Sequence, residues 1–154
     1  DIMKKISKRL NIFLVDDDPD DRYLFSEAIA EVVESYELQL FCDGSEIIDY
    51  LKKKPTDEEL PDIIFMDINM PHINGLAALQ LIRNELRMNS LPIAMYSTSS
   101  AEANIEESLS LGANIYITKP ASFDKLKELL HKALNSNIQF STSTLRMDTF
   151  VLAL

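Results

Sequence analysis

The sequence contains little cysteine and little glycine: Cys42 is the only cysteine, and there are three glycines among 154 residues. A single cysteine excludes an internal disulfide and a cysteine-based zinc cluster. Its place at the end of an apolar run predicts a small buried side chain in a reducing, cytoplasmic compartment. The glycines stand apart at 44, 75 and 112, so the chain has neither a G-x-G-x-x-G motif nor a P-loop. A flavin or nucleotide binder is therefore disfavoured.

Basic residues and long apolar runs are also scarce. The chain carries 15 Lys and Arg against 25 Asp and Glu, a formal net charge of −10 at pH 7. Nucleic-acid binding needs clustered Lys and Arg, so we expect no nucleic-acid partner. No apolar run approaches the length that crosses a membrane, so we expect no membrane association. With 46% hydrophobic residues, a chain of this length can form one domain with a buried core.

What the sequence does contain is a series of short apolar runs that end at polar residues. The run Ile63–Met66 is too short for an independent helix and predicts a strand buried on both faces. This strand ends at Asp67, and the Met70-Pro71 step and Gly75 turn the chain into the next helix. Further strands are predicted at Asn11–Val15, Leu38–Cys42, Pro92–Tyr96 and Ile115–Thr118.

Apolar residues at helical spacing fill the segments between these strands and follow the last one. We predict Asp18, Ser45 and Ser122 as N-caps, and Ser99 and Glu102 fit the pattern of a capping box. Five strands that alternate with five helices predict an α/β domain with a doubly wound parallel sheet.

Polar side chains with complementary chemistry follow four of the predicted strands. Asp16 and Asp17 follow the first, Asp67 the third, Ser97 the fourth and Lys119 the fifth. Because the carboxyl ends of parallel strands share one edge, we expect these side chains to converge. Neighbouring carboxylates repel each other unless a cation or the lysine holds them, and an oxygen-only site with room for phosphate suits Mg²⁺. The arrangement would make Asp67 a nucleophile toward a phosphoryl group, with Lys119 neutralising charge and Ser97 donating to a phosphoryl oxygen.

Taken singly, these residues have simpler interpretations. Asp67 could end a strand as a turn residue, and Ser97 could cap a strand end. Tyr116 could simply pack in the sheet. Asp20 and Asp21 are interpreted as charges that complement the dipole of the following helix. The combination of these residues, rather than any one of them, indicates phosphoryl chemistry.

In this order, the motifs resemble the receiver domain of two-component response regulators over roughly residues 11–135. They are Asp16-Asp17, the run from Asp67 to Gly75, Ser97 and Lys119-Pro120. The resemblance implies a flavodoxin-like strand order, 2-1-3-4-5. It also implies a domain that accepts a phosphoryl group from a histidine kinase or phosphotransfer protein and signals to a downstream protein by contact. No enzymatic activity is implied beyond self-phosphorylation and autodephosphorylation. The start from Asp18 to Arg22 is similar to small stand-alone receivers, some of which serve phytochrome-type kinases.

The same resemblance implies a Mg²⁺ site. Asp17 would be the direct ligand and Asp16 its water-mediated partner. Asp67 would be both the phosphoacceptor and a ligand, and Asn69 would contribute its backbone carbonyl.

The resemblance also implies how the phosphoryl group is sensed. Ser97 would be the switch hydroxyl, Tyr116 the aromatic switch, and Lys119 the cation that pairs with phosphate. A cis Lys119-Pro120 bond would aim this lysine at the acidic edge. Thr98 stands where the family usually has a smaller residue, and would crowd access to Asp67.

Residues 1–10 form an N-terminal lead and residues 136–154 a C-terminal tail outside the receiver segment. The tail contains Phe140, Phe150 and Leu152 and is too apolar for a disordered linker. We expect its end to dock on its own domain, with a second copy as the alternative, so the protein would be a monomer or a homodimer. A helix-turn-helix output would need several tens of residues after Asn135, so none is expected.

Two other functions fit parts of the pattern. A haloacid-dehalogenase-like phosphatase also uses an aspartyl phosphate and Mg²⁺. That class resembles Asp-x-Asp near the N-terminus with the acidic pair late, whereas here the pair comes first and Asn69 follows Asp67. A non-phosphorylated scaffold of the same fold is the second alternative, but it would not require Asp67 and Lys119 together.

Overall fold

The structure is a computed structural model that describes residues 3–135 and 151–152. Its elements are β1 (Leu10–Val15), α1 (Pro19–Val32), β2 (Tyr36–Phe41), α2 (Gly44–Lys52), β3 (Ile63–Met66), α3 (Gly75–Gln80), β4 (Ile93–Ser97), α4 (Glu102–Ser110), β5 (Ile115–Thr118), α5 (Phe123–Asn135) and β6 (Val151–Leu152). A 3₁₀ turn at Asp57–Glu59 precedes β3, and a π-helical turn at Leu81–Glu85 continues α3. No helix within the described residues has both the length and the apolar character needed to cross a membrane.

The strands form one parallel sheet in the order β2-β1-β3-β4-β5-β6. Its first five strands have the predicted order 2-1-3-4-5, and five helices alternate with them. The prediction of a doubly wound, flavodoxin-like sheet is therefore confirmed. The sixth strand lies beside β5, where Tyr116 pairs with Val151 and Ile117 with Leu152.

The two-residue period of the strands divides the core into two halves. Along β1, Ile12 and Leu14 pack with α1 and α5, whereas Phe13 and Val15 pack on the opposite face with α2 and α3. Both faces of the central strands are thus covered by helices. This double burial is why β1 and β3 appear in the sequence as unbroken apolar runs.

Backbone pairing continues for one residue past the strands at the carboxyl edge of the sheet. The N–H of Asp67 donates to the carbonyl of Val15 at 2.9 Å, and the N–H of Lys119 donates to the carbonyl of Ser97 at 2.7 Å. Asp16 likewise donates to the carbonyl that ends β2, at 3.0 Å. The side chains of Asp16, Asp67 and Lys119 therefore extend from backbone that the sheet holds in place.

The helix starts confirm one predicted cap and correct another. Asp18 caps α1, where its carboxylate accepts hydrogen bonds from the N–H groups of Asp20 and Asp21. The prediction for Ser45 is wrong because Asp43 is the N-cap of α2. Oδ1 of Asp43 accepts from the backbone N–H and the hydroxyl of Ser45, at 2.9 and 2.6 Å. The carboxylate is the stronger acceptor, so the serine hydroxyl becomes a donor instead of a cap.

The predicted capping box at the start of α4 is also wrong. Ala101 is the N-cap and makes no side-chain hydrogen bond there. The hydroxyl of Ser99 instead accepts from the N–H of Ala101 and the side-chain amide of Asn104, so Ser99 lies two residues before the cap. At the last helix the prediction is confirmed, because the Ser122 hydroxyl accepts from the N–H three residues later, at 3.4 Å.

Cys42 is exposed, which contradicts the prediction that it is buried. It follows Phe41, the last residue of β2, whose ring is buried. Within the described residues β2 forms one edge of the sheet. Because successive side chains of a strand alternate in direction, burying Phe41 turns the next residue outward.

Arg83, in the π-helical turn, has a buried guanidinium group that ties the end of α3 to two loops. It donates to the carbonyls of Gly112 and Met88 and, at 3.0 Å, to Oδ1 of Asn114. The same oxygen accepts from the N–H of Ile93, at the start of β4. Burial lowers the pKa of Arg83 to about 10. Gly112, with φ of +100°, supplies the left-handed residue that ends α4.

Candidate functional site

Three aspartates converge at the carboxyl edge of the sheet. Asp16 and Asp17 follow β1, Asp67 follows β3, and each offers a carboxylate oxygen that lies within 4.8 Å of the others. Asp16 and Asp67 are buried, while Asp17 is exposed. The sheet order makes β1 and β3 neighbours, which is why residues about 50 positions apart meet here.

The Lys119 ammonium group lies among these carboxylates. Its Nζ atom donates to Oδ2 of Asp16 at 2.7 Å and to Oδ2 of Asp67 at 3.2 Å. A further contact, at 2.8 Å, goes to Oδ2 of Asp21 on α1. The side chain of Lys119 is 7% exposed, so solvent screens these ion pairs less than it screens pairs on the surface. The predicted convergence of the acidic residues and the lysine is present in the structure.

Burial and charge act in opposite directions on the ionisable groups of the cluster. Burial raises the pKa of the Asp16 and Asp67 carboxyls above their ordinary value, although Lys119 acts to lower both. Burial alone would lower the pKa of Lys119, but hydrogen bonds to Asp16 and Asp21 raise it above its ordinary value. The lysine therefore stays protonated, while the two buried carboxylates are ionised only against a desolvation penalty.

Backbone N–H groups orient both buried carboxylates. Oδ1 of Asp16 accepts from the N–H of Asp18 at 2.9 Å, and Oδ1 of Asp67 accepts from the N–H of Ile68 at 2.7 Å. In each case this leaves Oδ2 directed at Lys119. Arg22 donates to the backbone carbonyl of Asp16 at 2.8 Å, which further fixes the turn after β1.

The loop after Asp67 folds back closely on that residue. The N–H of Gly75 donates to the carbonyl of Ile68 at 2.8 Å. A Cβ atom at Gly75 would lie 1.9 Å from the Asp67 carbonyl oxygen, so no larger residue fits without moving the loop. Asn69, predicted to offer its backbone carbonyl to a metal, is exposed in this loop.

The predicted switch residues lie beside each other on β4 and β5. Ser97 and Tyr116 are both fully buried. The phenol of Tyr116 donates to the carbonyl of Ser99 at 2.7 Å, and the hydroxyl of Ser97 accepts from the N–H of Ser99 at 3.2 Å. Burial raises the pKa of the Tyr116 phenol, and hydrogen bonds with Ser97 and Ser99 oppose that shift. The two side chains thus share contacts at the start of the β4–α4 loop, where Thr98 is exposed.

Sequence reasoning missed two residues of the site. Asp21 was interpreted as a helix-dipole charge, but it pairs with Lys119. Its position three residues after the N-cap Asp18 places it near the end of β1, but that position alone does not specify a partner on the fifth strand. The ring of Tyr96 lies near the same ammonium group, 5.1 Å from Nζ to its centroid. Nothing in the linear sequence distinguished Tyr96 from a core residue.

The Lys119-Pro120 peptide bond is trans, which contradicts the prediction of a cis bond. Lys119 reaches Asp16 and Asp67 with this trans bond, so the turn needs no isomer change to direct the side chain. Trans is also the isomer that most X-Pro bonds adopt.

Comparisons with known proteins agree with this geometry. A family model described as the response regulator receiver domain matches residues 12–131. The osmosensing histidine protein kinase SLN1 of Saccharomyces cerevisiae is 37% identical over 93 residues, which are 60% of this chain but 8% of SLN1. The family match gives no support to the haloacid-dehalogenase alternative.

Solved structures show the same likeness over nearly the whole fold. The phosphorylated cyanobacterial phytochrome response regulator RcpA is 31% identical, with a TM-score of 0.73 over 90% of this chain and 99% of that one. The Mn²⁺-bound form of response regulator Rcp1 is 26% identical, with a TM-score of 0.71 over 89% of this chain and 99% of that one.

Proposed function

The chain belongs to the response regulator receiver domain family, and from this premise we propose that Asp67 accepts a phosphoryl group from a histidine kinase or phosphotransfer protein. The phosphorylated domain then signals to a downstream protein by contact. The observation that carries the proposal is the position of Asp67. Its Oδ2 atom faces the Lys119 ammonium at 3.2 Å, and two further carboxylates lie within 4.8 Å.

In the proposed reaction, a carboxylate oxygen of Asp67 attacks the phosphorus atom of a phosphohistidine. An O–P bond forms as the N–P bond breaks, and the departing imidazole nitrogen takes up a proton. Lys119 offsets the repulsion between the anionic carboxylate and the anionic phosphoryl oxygens, and the N–H of Ile68 holds Oδ1 of Asp67 in place.

A magnesium ion fits the donor set of this site. Asp16, Asp17 and Asp67 supply three carboxylate oxygens close enough to share one ion, and Mg²⁺ prefers such hard oxygen ligands. We assign these three residues as its carboxylate ligands and the Asn69 backbone carbonyl as a fourth group. When bound, the ion would neutralise charge on the phosphoryl oxygens. Asp17, being exposed, leaves this side of the cluster open to solvent.

We assign the output to Ser97 and Tyr116. A phosphoryl group on Asp67 would draw the Ser97 hydroxyl toward it and change the contacts that both residues make with Ser99. The affected loop leads into α4, whose only buried residue is Ser108. A helix with so few buried side chains shifts at small free-energy cost, so we assign the surface of α4, β5 and α5 as the one that downstream proteins read.

The remaining parts of the proposal concern partners, location and the C-terminal tail. The likeness to RcpA makes a phytochrome-type kinase the phosphodonor to try first. A cytoplasmic location is part of the proposal, as is a monomer or homodimer. Val151 and Leu152 pair with β5 of their own chain, which supports docking of the tail's end on its own domain. The rest of the tail lies outside the described residues.

The proposal is tested by incubating the protein with acetyl phosphate, with and without Mg²⁺, and measuring acid-labile phosphate. The expected result is Mg²⁺-dependent labelling of the wild type and of Asp20→Asn, an exposed aspartate on α1, with none in Asp67→Asn. Equal labelling of Asp67→Asn and the wild type would overturn the proposal.

A further inference from the structure

The three contacts of the Lys119 ammonium are unequal. Nζ lies 2.7 Å from Asp16 and 2.8 Å from Asp21, but 3.2 Å from Asp67. An ammonium group has three protons to donate, and these three carboxylates account for all of them. A phosphoryl group on Asp67 can therefore take over the N–H that now points to Asp67, but it can gain a second one, or draw the ammonium closer, only if Asp16 or Asp21 gives up its contact.

We propose that Asp21 is a positioning residue that holds the Lys119 ammonium on the α1 side of the cluster and so restrains its transfer to a phosphoryl group on Asp67. This inference rests on the proposed function of Asp67. It adds a fourth aspartate to the site and gives it a role opposite to that of the other three. Asp21 weakens the phosphorylated state, whereas Asp16, Asp17 and Asp67 create it.

The position of Asp21 is fixed by the start of α1. Asp18 caps this helix with hydrogen bonds to the N–H groups of Asp20 and Asp21, and Pro19 occupies its first position. Asp18 in turn donates its own N–H to Asp16. The carboxylate of Asp21 therefore approaches Lys119 from a capped helix end that is hydrogen-bonded to the acidic cluster.

Asp21 also differs from Asp16 because a metal ion in the proposed site would not compete with Lys119 for it. The group of oxygens close enough to share one ion comprises Asp16, Asp17 and Asp67, without Asp21. A divalent cation would compete with Lys119 for Asp16 and Asp67, because both are ligands in the proposed site. Asp21 would then be the carboxylate that still holds the lysine. Its side chain is 31% exposed and that of Lys119 is 7% exposed, so this pair is stronger than a fully exposed one.

The chain offers a matched control one residue away. Asp20 lies on the same helix end and carries the same charge, but it is exposed, and the structure shows no ion pair for it among the described residues. Replacing either aspartate with asparagine removes one negative charge near the site. Only Asp21→Asn removes the contact with Lys119, so a difference between the two variants measures that contact and not the general field of the helix end.

The test is the affinity for beryllofluoride at saturating Mg²⁺, measured by titration with amide ¹H–¹⁵N NMR spectra. We expect Asp21→Asn to bind roughly threefold to tenfold more tightly than the wild type, the change that loss of one partly buried ion pair gives. Asp20→Asn should bind like the wild type. The gain from Asp21→Asn should vanish in a Lys119→Met background, because the lysine is then absent from both proteins being compared.

A second readout follows the lysine directly. Without metal or beryllofluoride, the ¹H and ¹³C shifts of the Lys119 Cε methylene should change in Asp21→Asn and stay the same in Asp20→Asn. Equal or weaker beryllofluoride binding by Asp21→Asn than by Asp20→Asn would overturn this inference and leave the proposed function intact. Absence of binding to the wild type and every variant would overturn the proposed function, and this inference with it.

Discussion

Lys119 and Asp16, separated by 103 residues in the chain, form a hydrogen bond of 2.7 Å between the end of β5 and the end of β1. The two strands are not adjacent, since β3 and β4 lie between them in the sheet. The long side chain of Lys119, the proposed phosphate-pairing residue, thus spans the carboxyl edge and reaches the proposed metal ligands. A change of charge at any one of these carboxylates therefore changes the electrostatic energy of the others.

Because burial raises the pKa of Asp67, we expect its ionised carboxylate to lower the free energy of unfolding. Burial raises this pKa above 3.8, so the folded state binds the proton more tightly than the unfolded state. The corresponding stabilisation is present below pH 3.8 and is lost as the pH rises through the folded value. Without metal, Asp67→Asn should therefore increase the free energy of unfolding at pH 7 by about 1 kcal/mol.

Urea unfolding of the wild type and Asp67→Asn at pH 7 and pH 4 checks this expectation. The gain should be smaller at pH 4, where more of the wild-type carboxyl is protonated. Asp49→Asn, at an exposed position of α2, serves as the control and should change little. A loss of stability on replacing Asp67, or the same gain at both pH values, would show that the carboxylate is not held against a desolvation penalty.

Magnesium binding should stabilise the wild type and depend on Asp17. A ligand present at 100 times its dissociation constant adds about 2.7 kcal/mol to the free energy of unfolding. Asp17→Asn should lose most of this Mg²⁺-dependent gain, while its stability without metal stays nearly unchanged because Asp17 is exposed. Thermal unfolding with and without Mg²⁺ measures both quantities, with Asp20→Asn as the control. If Asp17→Asn and Asp20→Asn kept the same gain, Asp17 would not be a ligand.

The fold and most of the site could be predicted because buried parallel strands leave a clear sequence pattern. Strands such as Ile63–Met66, covered on both faces, must be apolar throughout, so the polar residue that ends each one is conspicuous. The order of the strands in the sheet is then enough to predict that Asp16, Asp67 and Lys119 lie close together, and no knowledge of side-chain conformations is needed.

The errors arose where the outcome depends on competition between neighbouring groups, on the distance between elements, or on where a strand ends. Asp43 and Ser45 both suit an N-cap, and only the structure shows that the carboxylate accepts while the hydroxyl donates. The pairing of Asp21 with Lys119 depends on how far α1 lies from the fifth strand, which no local pattern specifies. The prediction that Cys42 is buried assumed that β2 includes this residue, whereas β2 ends at Phe41. Strand ends are the least certain part of any sequence-based assignment.

Replacing Ser97 should separate the phosphoryl site from the α4–β5–α5 surface. Beryllofluoride with Mg²⁺ is expected to shift the amide signals of α4 and β5 in the wild type, because Ser97 and Tyr116 share contacts with Ser99. In Ser97→Ala these shifts should shrink, while those near Asp67 persist. Ser100→Ala, an exposed serine of the same loop, should behave like the wild type. Equal shifts on α4 and β5 in Ser97→Ala and the wild type would mean that the signal bypasses Ser97.

The strand β6 should contribute to stability through its pairing with β5. A proline at position 151 would remove the backbone N–H that can donate a hydrogen bond to the neighbouring strand. A threonine would keep this N–H and also a β-branched side chain, which suits a strand. Val151→Pro should therefore lower the thermal midpoint by about 2–4 °C, the shift that 1 kcal/mol gives in a chain of this size, and Val151→Thr by less. Midpoints at two protein concentrations identify the partner. A shift that is independent of concentration supports docking of the tail on its own chain. A concentration-dependent shift would mean that the tail docks on a second copy of the chain.

The location of the phosphoryl group tests directly whether Asp67 is the phosphoacceptor. Borohydride reduces an aspartyl phosphate to homoserine, which peptide mass spectrometry assigns to a single position after labelling with acetyl phosphate and Mg²⁺. We expect homoserine at position 67, none when Mg²⁺ is removed, and no transfer of the label to Asp16, Asp17 or Asp21 in Asp67→Asn. Homoserine at another aspartate of the wild-type protein would show that Asp67 is not the phosphoacceptor.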